Sequence, residues 1–335
     1  MEKNILVKAG IDLVKHNIST EFSEIKDRSE QMKAYNAQLV EINGGKEFNL
    51  NSLRNGSTNG LFEIIETILS NTVNNGLSEN SFFQKFVDYR NVAEGDQNDF
   101  HVPDNSLFAV SKLATGNYGV RRQRINKGSN YSVPTELMGV KTYAELRRLL
   151  ADRINIEEFV EKVGKSLLQD RLNLVYTTFL GALADLPSAF VENGAFVEDT
   201  LLGIIDHVEA ASEKTAIVVG TRTALRKITI DTTANGDMAK DEKYALGYYG
   251  TIAGTDVMVI KQDHKVNSFD FAYSTDDIWI VVGDEKPVKF VTEGQMIMHM
   301  GDMFTNADAT IDVFAGDMYG AGIVLSALHG QYRIS

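Results

Sequence analysis

Cysteine is absent from the 335-residue chain, which excludes disulfides, thiolate nucleophiles, thiol-ligated zinc and iron–sulfur clusters together. Stability must then come from packing and association. No apolar stretch approaches the roughly 20 residues that a membrane span requires. The start, Met1 to Lys8, holds only the apolar run Ile5-Leu6-Val7 before a lysine closes it, so it lacks the apolar region of a secretory signal. A soluble chain that is not exported is expected. Positive charge is also short, with 33 Lys and Arg against 46 Asp and Glu, a net of −13. That argues against wrapping nucleic acid as a primary task, because phosphate binding rests on clustered cations; it does not exclude containing nucleic acid.

Signatures of chemistry are missing as well. Gly44-Gly45-Lys46 lacks the spacing of a phosphate loop and is followed by Glu47 instead of Ser or Thr. Gly320-Ala321-Gly322 has no third glycine, and the chain ends before the acidic residue of a dinucleotide site could occur. The histidines His16, His101, His207, His264, His299 and His329 form no pair at metal-ligand spacing. His299 lies in the run Met296-Ile297-Met298-His299-Met300, where strand packing explains it better than metal binding. The paired acids Asp276-Asp277 and Asp284-Glu285 flank a strand and could hold a cation, although acidic turns at strand ends are the commoner reason for such pairs. No Gly-x-Ser-x-Gly elbow occurs. No catalytic residue, cofactor site or metal ligand is assigned.

What is there is unevenly distributed. Residues 185–335 carry 11 basic and 23 acidic residues, a net of −12, whereas 117–153 carry 8 basic and 3 acidic, a net of +5. A basic segment on an acidic chain can find its complement on a second copy, since charge complementarity sets register and partner choice; a merely solvated basic hairpin is the alternative. The length exceeds the usual domain of roughly 100–200 residues, so one large or two interleaved domains are expected.

Along the chain, residues 1 to about 58 are polar and Asn-rich with a weak helical stripe of Phe22, Ile25, Met32 and Leu39, which reads as an arm with little core of its own. Leu61, Ile64, Ile65, Ile68, Leu69 and Val73 predict an amphipathic helix, and Phe82, Phe83, Phe86, Val87 and Tyr89 an aromatic strand. Residues 94–134 alternate extended runs with Gly, Asn and Asp and hold only scattered large apolar residues. They read as a long β-hairpin without a self-sufficient core, and loops of that length are functional, disordered or held by a partner. The stretch 133–150 suits a strand or a helix. From Asn155, with Glu158 completing a cap pattern, Ile156, Phe159, Val160, Val163, Leu167, Leu168, Leu172, Val175 and Phe179 line one face of a long helix ending before Pro187. Beyond it come a helix over 196–211, a buried strand over 216–220 with Thr221 capping a short helix, strands over 257–260 and 278–282, and extended segments at 310–314, 321–327 and 331–334.

This order of segments resembles the major capsid proteins of tailed bacteriophages, the HK-ninety-seven-type fold, from Gly60 onward. The residues that carry the resemblance are Tyr131 to Thr135, Gly139 to Leu146 and Ala151 to Asn155 leading into the long helix, then Ile217 to Leu225, Lys286 to Gly294, and Gly330 to Ile334. It implies an α+β fold with an N-terminal arm (1–58), a peripheral domain in parts (59–93, and 135–184 with the spine helix), an extended loop (94–134) lying across a neighbour, an axial domain (185–306) and peripheral C-terminal strands (307–335). The implied role is a non-enzymatic, cofactor-free subunit of an icosahedral head, assembled in the bacterial host cytoplasm. Its partners would be itself, as pentamers and hexamers, the portal and scaffolding proteins of the family, and enclosed double-stranded DNA bound without sequence preference, with no membrane. Arg121, Arg122, Arg124 and Lys127 are the candidate inter-subunit contacts, an exposed basic face being the alternative.

Some family members crosslink a loop lysine to a neighbour's asparagine. Lys112 and Lys127 lie in that segment, but neither acceptor nor assisting acid matches, so crosslinking is not predicted. Two rival readings are an encapsulin-like compartment shell protein, disfavoured by the long Asn-rich start, and a metal-dependent α/β enzyme using the acidic clusters.

Overall fold

Two kinds of apolar pattern, helical stripes and short continuous runs, resolve into helices around three sheets in the computed structural model. It describes residues 3–42, 59–102, 108, 110, 122–124, 127–145, 156–183, 186–229, 241, 243–265, 268–283, 286–300, 310–323 and 329–334.

The N-terminal segment differs from the expected bare arm. Helices α1 (Lys3–Val14) and α2 (Arg28–Ile42) lie on α3 (Asn59–Glu79). Leu6, Ala9 and Leu13 are buried in one cluster with Ile64, Ile65, Ile68 and Leu69. Small residues make the approach possible: a Cβ added to Gly10 would stand 2.4 Å from the Ile68 side chain. The turn between α1 and α2 is organised by the buried amide of Gln31, which accepts from the Ser19 N–H and donates to the Phe22 and Ile25 carbonyls. Polarity hides this core in the sequence, because it is built from few large residues and one amide that replaces several backbone hydrogen bonds.

The aromatic segment after α3 begins as a helix, not a strand. In α4 (Ser81–Phe86) the Asn80 side chain accepts from the Phe82 and Phe83 N–H groups at 3.0 and 3.1 Å, and that cap outweighs the β-preference of the phenylalanines. One helical turn then drives Phe82, Phe83 and Phe86 into a single core before the chain extends into β1 (Val87–Val92). Replacing Asn80 with Ala is expected to cost about 1 kcal/mol, read as a lowered urea midpoint at unchanged slope.

Strands β2 (Asp99–Val102) and β3 (Ser129–Ser132) form an antiparallel pair. β4 (Glu136–Glu145) settles the described part of the ambiguous stretch as a strand, residues 146–150 lying outside the described residues. Helix α5 (Ile156–Leu183) has 28 residues, a rod of about 42 Å. Its first half buries Val163 and Leu167 against the N-terminal helices, and its second half buries Val175, Tyr176 and Phe179 against Trp279 and Phe290. One helix therefore runs through two cores.

The remaining elements are β5 (Val191–Gly194), α6 (Glu198–Ser212), β6 (Ala216–Thr221), α7 (Arg222–Arg226), β7 (Thr251–Ile252), β8 (Thr255–Ile260), β9 (Asp277–Val282), β10 (Val288–Met300), β11 (Thr310–Ile323) and β12 (Gly330–Ile334). As expected, Thr221 caps α7 by accepting from the Ala224 N–H. A six-stranded sheet runs β5-β12-β9-β6-β8-β7 and a four-stranded one β1-β10-β11-β4. Every residue of β6 and β9 is buried. One side of these strands packs on α4 and α5 through Ile217, Val219, Trp279 and Val281, and the other on α6 and α7 through Val218, Ile278, Ile280 and Val282. That double burial is why both strands read as unbroken apolar runs.

The sheets divide the chain elsewhere than at residue 306. β10 lies in the four-stranded sheet between β1 and β11, whereas the closing strand β12 pairs with β9 and β5 in the six-stranded sheet. The Arg333 guanidinium grips buried Asp277 through two hydrogen bonds of 2.6 and 3.0 Å, which fastens β12 there. Neither the length nor the composition of the last residues distinguishes these destinations.

Candidate functional site

The extended hairpin leaves the body between β1 and β4, and its root is built from both sheet and loop residues. Alternation in Asp99-Phe100-His101-Val102 turns Phe100 inward, where it is buried with Val133 and Val291. The Arg90 guanidinium stands 3.9 Å from the centre of the Phe100 ring, and the Lys289 ammonium is 5.6 Å from it. Both cations also reach Asp88, at 3.4 and 3.1 Å. The base of the hairpin thus shares a small interior with β10, in keeping with a hairpin that has no self-sufficient core.

Polar groups tie the two root strands to each other and to β10. Asn98 is buried, donates to the Val133 carbonyl at 2.7 Å, and accepts from the Val133 N–H and the Ser132 hydroxyl. Glu293 spans the root: one oxygen accepts from the Gly95 N–H at 2.7 Å and the other from the Thr135 hydroxyl at 2.6 Å. A bulge between Glu293 and Ile297, with Gly294 at φ +73°, turns β10 beside this carboxylate. Where the returning strand passes β11 the fit is closest, since a Cβ on Gly320 would stand 2.0 Å from the Pro134 carbonyl oxygen.

The Thr135 hydroxyl first, and then the Gly95 N–H, hold the Glu293 carboxyl below the usual glutamate range. Its contribution to the root is therefore present above the ordinary glutamate pKa and lost as pH falls through the lowered value. Amide exchange at Gly95, corrected for intrinsic rate, is expected to accelerate on acidification in the native chain and to lose that pH dependence in Glu293→Gln. An unchanged exchange profile in the native chain would remove the carboxylate from this role.

Beyond the root the described loop residues face solvent. All of β3 is exposed, as are Val110 at 99%, Phe108 at 53% and Tyr131. Arg122, Arg124 and Lys127 are exposed and form no ion pair with a described residue; Arg121 lies outside the described residues. Three of the four predicted contact residues are therefore exposed and, among the described residues, without an ion-pair partner. Asn98, Phe100 and Glu293 escaped the sequence reading. The four-residue alternation around Phe100 was the available signal, while Glu293 is recognisable only once β10 lies beside the root.

The acids that could have formed a cation site are used otherwise. Asp276 accepts from Lys227 at 2.7 Å, and Asp277 is held by Arg333; Asp284 and Glu285 lie outside the described residues. Among the described residues, no group of three or more His, Asp or Glu side chains is placed to hold a metal ion, and no helix is long and apolar enough to cross a membrane.

A locked hairpin root bearing exposed loop residues, a long helix through two cores and two β-sheets together make up an HK-ninety-seven-type fold. Solved structures share this fold. The capsid of Helicobacter pylori bacteriophage KHP30 matches with a TM-score of 0.53 at 10% identity, over 76% of this chain and 91% of that one. The mature capsid of bacteriophage PhiM1 gives 0.51 at 13% identity, over 76% and 87%, and the capsid of a native GTA particle 0.50 at 13%, over 76% and 90%. No curated protein matches the sequence. A family model does: residues 9–312 match the SPbeta prophage-derived putative capsid protein YonB, and the chain belongs to that family. It is a phage capsid protein, a structural component and not an enzyme.

Proposed function

We propose that this chain assembles into pentamers and hexamers that close into an icosahedral head enclosing double-stranded DNA, with the extended loop of each copy lying across its neighbour. The observation that carries the reading is the contrast along the hairpin, fixed at its root by Asn98, Phe100 and Glu293 yet offering Phe108 and Val110 to water beyond it. Apolar side chains so placed gain burial only against another surface. The basic character of 117–153 and the acidic character of 185–335 make a second copy the complementary surface, with Arg121, Arg122, Arg124 and Lys127 as its contacts.

In this reading α5 is the spine of the peripheral domain with the four-stranded sheet, and the six-stranded sheet with α6 and α7 is the axial domain. Residues 1–58 retain the role of N-terminal arm. Rings of two sizes close a shell, and heterologous contacts generate such rings. Net negative charge suits a container whose DNA must leave again. Portal and scaffolding proteins are the expected further partners, and the host cytoplasm the place of assembly. The family match favours a phage head over an encapsulin-like compartment.

Negative-stain microscopy of the purified or co-expressed chain tests the proposal. Shells, or isolated five- and six-membered rings, are the expected result, and a stable monomer at high concentration refutes it. A boiled, denatured shell should run as a 37.1 kDa monomer, because no crosslink is expected.

A further inference from the structure

The six-stranded sheet and its helices carry an acidic patch at the β5 edge and a cationic cleft beside α7. At the β5 edge, Glu192 and Asp199 are exposed on either side of Val197, itself 50% exposed. This segment is held in place by the Tyr332 hydroxyl, which donates to the Ala195 carbonyl at 2.8 Å and accepts from the Val197 N–H at 3.0 Å. Between α7 and the segment leading into β7, a cleft of about 680 Å³ is lined by Arg222, Arg226, Lys243, Tyr244 and Tyr249. Lys243 is fixed there, 4.6 Å over the Tyr249 ring and donating to the Ile228 carbonyl at 2.9 Å. Arg222 and Arg226 are exposed and form no ion pair with a described residue.

We propose that the basic cleft beside α7 receives the acidic β5 edge, Glu192 to Asp199, of a neighbouring copy of this chain. The inference rests on the shell reading and names the contact that closes its rings. Two different patches on one chain form a heterologous contact, in which every copy gives one patch and takes the other, and such a contact closes rings. Two copies of a chain with net charge −13 repel in most orientations, so the cationic cleft selects the approach that brings an acidic edge to it. The cleft's surroundings suit a protein better than a phosphate backbone. Tyr244 is 89% exposed and Leu246 also stands in water; Arg and Tyr are the residues that anchor protein interfaces, and an exposed leucine has nothing to offer a phosphate.

Charge reversal in the full chain tests the pairing. R222E/R226E and E192R/D199R, each alone, should keep the native circular dichroism and thermal midpoint but raise the concentration needed for ring formation by about tenfold or more. The neutral R222Q/R226Q should fold as the native chain does and weaken rings to a lesser degree. Mixed in equal amounts, the two reversed variants should assemble again. Only unlike copies then fit together, so the rings should have an even number of members, with hexamers present and pentamers absent. All four reversals in one chain should restore rings of both sizes. The pairing is overturned if either reversed variant forms rings as the native chain does, or if the mixture stays dispersed. It is equally overturned if R222E/R226E keeps its rings and loses only co-purifying nucleic acid, which would assign the cleft to phosphate. A native chain that forms no rings at all sinks the shell reading itself, whereas native rings unaffected by reversal sink the pairing alone.

Discussion

Replacing Asp317 alone with Ala is expected to destabilise the unassembled subunit by about 3–5 kcal/mol, one of the largest single-residue effects available in this chain. Asp317 on β11 meets Arg171 of α5 at 2.5 Å, with Arg171 only 1% exposed. The guanidinium also lies 4.9 Å from the Tyr319 ring and reaches Asn74 at 3.5 Å, contacts that do not neutralise it. Removing the carboxylate would leave a cation enclosed by α3, α5 and β11 without its counter-charge. Burial, outweighing the neighbouring Arg171, raises the Asp317 carboxyl above the usual aspartate range. The folded state therefore binds that proton more tightly than the unfolded chain, so holding the carboxylate ionised beside Arg171 carries a cost that is absent below the ordinary aspartate pKa and complete above the raised value. Urea unfolding should show the loss for Asp317→Ala and recover much of it when Arg171→Met is added. If the single replacement proved milder than the pair, the ion pair would not be what joins the helix to the sheet.

The second large effect concerns assembly and spares the fold. Val102 and Ser129 are paired directly across β2 and β3, so residues 103–128 can be replaced by the two-residue turn Asn-Gly, which closes an antiparallel pair at that register. The root ties of Asn98 and Glu293 and the burial of Phe100 are untouched, and stability should stay within about 1 kcal/mol of the native chain, since loop length changes closure entropy slowly. Shell formation should be abolished. Size-exclusion chromatography and microscopy decide it; closed particles from the shortened chain would show that the loop is dispensable.

Parts of this architecture were legible because their physics is local or repetitive. The stripe from Val163 to Phe179 and the runs Ala216 to Val219 and Ile278 to Val282 announce α5, β6 and β9, since a helix face or a doubly covered strand imposes its period on the residues themselves. The antiparallel pairing at the base of the hairpin could be read from turn residues and sparse apolar content. What failed depended on partners distant in sequence. Nothing near Ala9 and Gly10 shows that Ile68 packs on them. Asn80 overrules the aromatic β-preference of its neighbours through two hydrogen bonds. The Glu293 carboxylate gains its meaning from Gly95 and Thr135, 198 and 158 residues away. Of the proposed contact residues, Arg122, Arg124 and Lys127 are exposed, and the charge pattern that singled them out carries no information on a partner surface.

Both legs of the hairpin are moored to one carboxylate on β10, and the returning leg presses on Gly320 of β11 with no room for a methyl group. Mechanically this is a cantilever clamped into a wall, without a swivel at its base. A load applied to its far end passes as bending moment into the long β10–β11 pair, and from β11 through the Arg171 contact to the spine. In the proposed shell, a neighbour's hold on the loop would bear on α5 through these contacts.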